Sequence, residues 1–259
     1  MANPIFNTFS LQDANYVTTN VEYRTIPRRE VSLESIATKP GKKVVSTEFA
    51  ERRIRLTGWI LGSDSSDLIT KIDELHLNVT RKEIGTLEID SDRSIETIVS
   101  SVTVTDPHYS QSIVPIEMEF IAAEPFFQAP QHTTNFTVAS GTSSGSHTMT
   151  ISGTVFAEPE IHFNASGSTG QTTLSGLKID YSPTSEYIMW SGTGATTTLA
   201  YGSELEFNYA NQLILEDTAS IDQKGVFSRW EPGETNFTVT YSGTTQGGTL
   251  QVVYRPRYL

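Results

Sequence analysis

Cysteine is absent from this sequence of 259 residues. Its absence excludes disulfide bonds, thiolate nucleophiles and thiolate-bound metals, and it favours synthesis in a reducing cytosol. The sequence also lacks any run near the ~18 apolar residues that a membrane helix requires. The first residues, MANPIF, contain neither a basic nor an apolar segment. We therefore expect no secretory signal and no membrane anchor.

Basic residues are scarce: 18 Lys and Arg stand against 30 Asp and Glu, which gives a formal net charge of −12. A protein that grips a phosphate backbone usually carries a basic surface, so this balance disfavours nucleic-acid binding. Hydrophobic residues make up 37% of the chain and aromatic residues 10%. That content is ordinary for a folded protein and excludes extended disorder.

The composition changes near residue 130. Most Lys and Arg residues precede this point, whereas the second half is rich in Ser, Thr and Gly. Pro125 and Pro130 bracket the seam, and two prolines so close together interrupt regular structure and stiffen a linker. The sequence therefore predicts two domains, 1–130 and 131–259.

The first domain is predicted to combine strands with one helix. The strands are expected at 30–36, 43–48, 52–61, 86–90, 95–104 and 113–122. The helix is expected at 65–82, where Leu68, Ile72, Leu75 and Val79 form one apolar stripe. This stripe should pack on the sheet, with Ile72 and Leu75 as its central anchors.

The strand at 52–61 has two unlike faces. Ile54, Leu56 and Ile60 share one face, and side chains alternate along a strand. Arg53, Arg55 and Trp59 therefore share the opposite face and are candidates for a subunit interface, because arginine can bind a carboxylate of a neighbour through two hydrogen bonds. The alternative is an ordinary solvated face with weak ion pairs.

The second domain shows short strand patterns separated by Gly-rich turns. They lie at 135–139, 148–155, 160–164, 172–180, 187–190, 196–201, 205–209, 212–216, 226–230, 236–241 and 249–254. This density of turns predicts a β-sandwich or jelly roll. The fold class is thus mainly β: an N-terminal β-domain with one α-helix and a C-terminal β-sandwich. Two arrangements of the last strand stay open: it belongs to the sandwich, or it returns to the first domain.

Catalytic chemistry finds little support in the sequence. Residues 141–145 match the nucleophile motif GxSxG, but they lie in a run of Gly, Ser and Thr that favours a hairpin loop. The five histidines lack zinc-binding spacing, and a pairing of His132 with His147 across that hairpin is interpreted as chance and not as a metal site. Asp90 and Asp92 favour a turn over a cation site. We predict no catalytic residue, no cofactor and no metal site.

Aromatic residues of the second domain admit two interpretations. Tyr187, Trp190 and Trp230 could form a platform for sugar stacking. Large aromatic side chains also build sandwich cores and interfaces, and this alternative is favoured because such residues are usually buried.

The order of elements resembles the distal tail protein family of long-tailed bacteriophages (siphophages). The Arg-rich strand at 52–60 is followed by the helix, then by a short strand at 87–90 and two long strands. The first domain closes on the sequence FIAAEPFF at 120–127, which is similar to that family's ending. The second domain carries FSRWEPGETNFTV at 227–239 and then VYRPRYL at 253–259, as in sandwich domains of phage tail proteins.

This resemblance implies a non-enzymatic structural virion protein. It would form a homohexameric ring at the distal end of the tail tube, with a galectin-like second domain projecting outward. Its partners would be further copies of itself, the tail tube protein and tail-tip or tail-associated proteins. Genome DNA would pass through the ring without specific binding, since an acidic lumen repels DNA. The protein would be made in the bacterial cytoplasm and located in the virion; the alternative function is a carbohydrate-binding module of a host-recognition protein.

Overall fold

The computed structural model contains 22 strands and one helix among the residues that it describes. These residues are 3–35, 41–80, 84–105, 112–139, 141, 144–165, 173–191, 199, 203–217, 219–221, 223–244 and 247–259. The chain divides into two compact units. The first unit comprises Met1–Ala129 with the final residue Leu259, and the second comprises Pro130–Tyr258.

The first unit is an antiparallel sheet with a helix and a separate hairpin. Its elements are β1 (Ile5–Phe6), β2 (Phe9–Ser10), β3 (Tyr16–Glu22), β4 (Arg29–Ser35), β5 (Lys42–Phe49), β6 (Arg52–Leu61), α1 (Ser65–Thr80), β7 (Gly85–Asp90), β8 (Arg93–Val104), β9 (Ile113–Ala122) and β10 (Phe127–Gln128). The main sheet runs β2-β1-β7-β8-β9-β6-β3, and β10 pairs with β8. β4 and β5 pair only with each other within the described residues.

The start of helix α1 is stabilised by the carboxylates of Asp64 and Asp67, each of which accepts a hydrogen bond from a backbone N–H. The backbone N–H of Asp67 donates to the side chain of Asp64 at 2.9 Å, and that of Ser63 donates to Asp67 at 2.7 Å. These bonds satisfy N–H groups that the first turn leaves without helical partners. A hydrogen bond from Lys71, with that from Ser63, holds the pKa of Asp67 below its ordinary value. The helix is described as far as Thr80, so the end predicted at 82 lies outside the described residues.

The apolar stripe of α1 packs against β6 and β8. Leu68, Leu75 and Val79 are fully buried, whereas Ile72 is only half-buried. The prediction that Ile72 is a central anchor was therefore wrong. Tyr16 adds a polar tie, because its hydroxyl donates to the carbonyl of Lys71 at 2.9 Å.

Leu75 and Leu77 provide a matched pair for testing this packing. Leu75→Ala should lower the free energy of unfolding of the first unit by about 2–5 kcal/mol, because it removes a fully buried side chain. Leu77 is 59% exposed, so Leu77→Ala should change that energy by less than about 0.5 kcal/mol. Denaturant unfolding of the two variants measures the difference, and equal effects would contradict this placement of the helix.

The second unit consists of two antiparallel sheets. Its strands are β11 (His132–Val138), β12 (Ser144–Ile151), β13 (Glu160–Ala165), β14 (Thr173–Tyr181), β15 (Glu186–Ser191), β16 (Glu204–Asn208), β17 (Leu213–Glu216), β18 (Ala219–Ile221), β19 (Gln223–Gly225), β20 (Gly233–Thr244), β21 (Gly248–Tyr254) and β22 (Arg257–Tyr258). In the described residues one sheet runs β11-β21-β13-β16-β17-β18 and the other β12-β20-β14-β15-β19, and β22 belongs to neither.

The two sheets of the second unit share one hydrophobic cluster. It includes Ile161, Phe207 and Leu250 from the first sheet and Ile179, Ile188 and Val239 from the second. A common core between two antiparallel sheets is the arrangement of a β-sandwich. The predicted mainly β fold class, with one helix in the first half, is confirmed.

Two strands predicted in the second domain are not found as strands in the described residues. At 226–230 the structure shows no strand; only Trp230 forms an isolated bridge, with Ala157. The hydrophobic pattern there reflects the burial of Trp230 in the core, which an irregular segment achieves as well as a strand. Most of the strand predicted at 196–201 lies outside the described residues.

Candidate assembly surfaces

One face of the main sheet in the first unit is open to solvent. On β6, Ile54, Leu56 and Ile60 are buried, whereas Arg53, Arg55 and Trp59 point the other way and are exposed. The predicted division of this strand into two faces is confirmed. We call the second surface the open face: Arg53, Arg55 and Trp59 of β6 with Glu117 and Glu119 of β9.

The arginines of the open face already have partners within the chain. Arg55 donates to Glu117 at 2.7 Å, and Arg53 lies 3.3 Å from Glu119 and 3.4 Å from Glu51. The hydrogen bond from Arg55 holds the pKa of Glu117 below its ordinary value. All of these side chains are substantially exposed, so the pairs contribute little to stability. They form a charged band across the middle of the open face.

Trp59 lies at one end of this band and is 43% exposed. It lines a groove of about 290 Å³ together with Thr57, Thr103 and Pro115. Gly58 is required beside it, because a Cβ there would lie 2.4 Å from the carbonyl oxygen of Val17 on β3. The open face therefore combines paired charges with an exposed aromatic side chain.

The hairpin β4–β5 is amphipathic. The register places Leu33 opposite Val44 and Val31 opposite Thr47, so these side chains share one face. Val31, Leu33 and Val44 are 49%, 52% and 54% exposed. We call them the apolar hairpin face.

The other side of the hairpin is polar. It carries the cross-strand pairs Glu30 with Glu48, Ser32 with Ser46, and Glu34 with Lys43. At the base of the hairpin the ring of Phe49 packs edge-on against Phe126, with 5.5 Å between ring centroids. The hairpin is thus held at its base, and it has the pattern of a strand pair that covers a hydrophobic surface.

Exposed large hydrophobic side chains are concentrated in the first unit. Among the described residues these are Ile26, Val31, Leu33, Val44, Val45, Trp59, Ile69, Leu77, Ile84, Ile98 and Ile113 in the first unit and Tyr187, Leu213 and Val226 in the second. Single exposed apolar residues are normal, but a concentration of them marks an interaction surface. The first unit therefore offers the stronger candidate for assembly.

A buried arginine in the first unit escaped sequence analysis. Arg52 is 2% exposed, and it donates to the carbonyls of Pro125 at 2.7 Å and Tyr23 at 2.6 Å. Its guanidinium lies 4.7 Å from the centroid of the Phe127 ring. The alternation along β6 places Arg52 on the buried face, and this was the one signal that could have revealed it.

The sugar platform, which was the less favoured alternative for Tyr187, Trp190 and Trp230, is not present as a surface. Trp190 and Trp230 are 2% and 0% exposed, and both belong to the hydrophobic cluster of the second unit. Tyr187 is 41% exposed, and the amino group of Lys178 lies 4.5 Å from its ring centroid. The alternative of a core role, also considered for these tryptophans, is the one that their burial supports.

The GxSxG match, the histidine pair and the segment at 90–92 each have a structural role in the described residues. β11 pairs with β21 and β12 with β20, so the hairpin predicted around 140–146 does not form. Ser144 and Gly145 of the GxSxG match belong to β12, and Thr142 and Ser143 lie outside the described residues. His132 stacks on Tyr254, whereas His147 packs against Phe136. Asp92 lies in the turn between β7 and β8, as predicted.

The described part of the chain contains no group of three or more His, Asp or Glu side chains placed to hold a metal ion. Within the same residues, no helix is long and apolar enough to cross a membrane. Among the histidines that the structure describes, His162 is the one close to carboxylates: its Nδ1 lies 2.7 Å from Glu204 and its Nε2 lies 3.9 Å from Glu160.

Comparison with known proteins gives matches by structure only. No family model and no curated protein sequence matches the chain. The crystal structure of SPP1 Dit, described as a paradigm of the hub adsorption apparatus in phages that infect Gram-positive bacteria, matches with a TM-score of 0.70 at 13% identity. This match covers 100% of both chains. The phage P2 baseplate in its activated conformation with Ca has a TM-score of 0.45 at 7% identity over 98% of both chains. The chain therefore has the fold of SPP1 Dit along its full length.

Proposed function

We propose that this protein is a non-enzymatic structural component of the tail tip of a long-tailed bacteriophage. It forms a homohexameric ring at the distal end of the tail tube and joins the tube to tail-tip proteins. The observation that carries the proposal is the fold likeness to SPP1 Dit, which covers the whole of both chains. A likeness confined to a sandwich would carry less weight, because one fold serves many functions.

The apolar hairpin face supports assembly of several copies. Three exposed aliphatic side chains on one face of a strand pair leave water when that face is covered. The occupant that we propose is a second copy of this chain, because the same unit also exposes the aromatic side chain of Trp59. Contacts between two different surfaces of identical chains are head-to-tail, and they form a ring when the rotation between neighbours closes.

The open face is the second surface of the proposed contact. Arg53 and Arg55 keep their carboxylate partners in the monomer, so a neighbour need not supply acids to neutralise them. Trp59 then provides apolar area, and aromatic residues contribute strongly at the centre of interfaces. The paired charges favour one orientation of the neighbour over others.

The net charge of −12 suits a ring through which DNA passes. An acidic protein repels the phosphate backbone and gives no counterion-driven binding. Genome DNA is therefore a passing molecule and not a ligand. Synthesis in the bacterial cytoplasm and location in the virion complete the proposal, and a sequence without cysteine accords with a reducing cytosol.

Native mass spectrometry and negative-stain microscopy test the ring. The expected result is a species of six chains with sixfold symmetry, present alone at high concentration or after addition of the tail tube protein and tail-tip proteins. A chain that remains monomeric with those partners present, and that binds a defined glycan on an array, would overturn the ring and favour the carbohydrate-binding alternative.

A further inference from the structure

His147 occupies an aromatic cluster between the two sheets of the second unit. It lies on β12, at the edge of one sheet, and its ring centroid is 4.6 Å from that of Phe136 on β11, at the edge of the other. Phe237 of β20 completes the cluster, 5.3 Å from His147 and 5.7 Å from Phe136. These three rings therefore connect the free edges of the two sheets.

The imidazole of His147 is poorly provided with polar partners. Its Nε2 is buried and makes no hydrogen bond among the described residues. A Cβ at Gly145 would lie 3.1 Å from this nitrogen, so the backbone of β12 passes close to it. A neutral ring tolerates such a site, whereas an imidazolium needs an acceptor or water for each N–H.

Charged groups are scarce in the elements that pack on His147. Residues 132–151 contain no titratable side chain besides His132 and His147, and His132 stacks on Tyr254. On β20 the titratable residues are Glu234, which is exposed, and Tyr241, which burial keeps neutral by raising its pKa. Residues 140, 142, 143, 245 and 246 carry none either. Among the described residues of these elements, none contributes a carboxylate to the cluster.

We propose that Phe136, His147 and Phe237 form a proton-sensitive clasp that holds together the edge strands β11 and β12 of the second unit. Protonation of His147 places an unpaired charge between two phenylalanine rings. Opening of the edge returns that charge to water, so acid favours the open state. The clasp is independent of the proposed ring, because it lies within one unit of one chain.

The direction of the pH effect follows from linkage. Burial lowers the pKa of His147 in the closed state, whereas a solvated histidine titrates near ~6.5. The closed clasp is therefore fully stable above that pH. It loses stability as the pH falls from about 6.5 towards the lower pKa of the closed state, by roughly tenfold in the opening constant per pH unit, and the loss then levels off.

Amide hydrogen exchange of the full chain tests the clasp. After correction for intrinsic rates, the opening constants of β11 and β12 amides should rise by up to about tenfold between pH 7.5 and pH 5.5. His147→Phe keeps a ring in the cluster and removes the titrating group, so its exchange should lose this pH dependence. His132→Gln is the control and should retain it.

Two results would overturn the clasp. One is an unchanged pH dependence in His147→Phe. The other comes from nuclear magnetic resonance of the wild-type protein, which needs no variant: the imidazole resonances of His147 should titrate below about pH 6.5, where a solvated histidine titrates. Titration of His147 at about pH 6.5 or higher would remove the basis of the proposal even if His147→Phe failed to fold.

Discussion

The double substitution Leu33→Lys, Val44→Glu should convert the assembled protein into a folded monomer. These positions are direct cross-strand partners on the apolar hairpin face. The new Lys and Glu have opposite charges, so the pair supports the hairpin itself and leaves the net charge unchanged. Removing two apolar side chains from an interface costs about 3–6 kcal/mol, which weakens each contact between copies by at least a hundredfold.

A matched variant separates the hairpin face from charge in general. Ser32 and Ser46 are also cross-strand partners, but they lie on the polar face of the hairpin. Ser32→Lys, Ser46→Glu introduces the same charges there and should assemble like the wild type. Native mass spectrometry compares the three proteins, and their denaturation midpoints confirm that each is folded. Equal assembly of both variants would remove the apolar hairpin face from the interface.

Trp230→Ala should destabilise the second unit by about 3–5 kcal/mol. Trp230 is fully buried and stacks on Tyr181 with 5.6 Å between ring centroids and 15° between ring planes. It also packs against Phe237 at 5.0 Å. The substitution leaves a cavity in the shared core of both sheets, and the surrounding rings cannot collapse to fill it. Amide exchange of β13 and β14 at increasing denaturant concentration measures the unfolding free energy of the second unit separately from that of the first.

Tyr187→Ala provides the contrast for this prediction. Tyr187 is 41% exposed, so its loss should change the unfolding energy of the second unit by about 1 kcal/mol or less. Trp230→Phe should fall between the two, because a smaller ring keeps part of the stacking. If Trp230→Ala were no worse than Tyr187→Ala, the burial of Trp230 would be wrong and a surface role for it would return.

Local patterns predicted most of the elements because they report burial directly. β6 and β9 alternate buried and exposed residues along their lengths, and a period of two identifies such strands from the sequence. The helix was found by its stripe at 3.6-residue spacing. β1 and β2 span two residues each, too few to show any period, so sequence analysis missed them.

Strand pairing was less accessible to sequence analysis than strand position. β11 and β12 are adjacent along the chain and look like the two arms of a hairpin, yet they belong to different sheets. Pairing depends on partners that are distant in sequence, and no local pattern contains that information. The burial of Trp190 and Trp230 was favoured because large aromatic residues are usually buried, but the sheets between which they are buried could not be predicted.

For the candidate surfaces too, the exposure of single side chains could be predicted from the sequence, whereas their partners on other strands could not. Alternation along β6 placed Arg53, Arg55 and Trp59 on an exposed face correctly. It could not show that Glu117 and Glu119 on β9 already neutralise the two arginines, because that depends on the register between strands. The amphipathic nature of β4–β5 was missed, since Val45 has no partner in the register and this irregularity reverses the alternation of faces along β5.

The pairing of β11 with β21 and of β12 with β20 imposes an order on folding during synthesis. Asn135 bonds to Gln251, 116 residues later, and Thr148 bonds to Asn236, 88 residues later. Strands β11 and β12, the first of the second unit, are therefore synthesised long before their partners β21 and β20. All of the first unit except Leu259 has been synthesised by residue 129. Because domains fold as units during translation, the first unit can be folded while β11 and β12 are still unpaired. β11 and β12 are rich in Ser and Thr, and these polar residues keep them soluble until β20 and β21 have been synthesised.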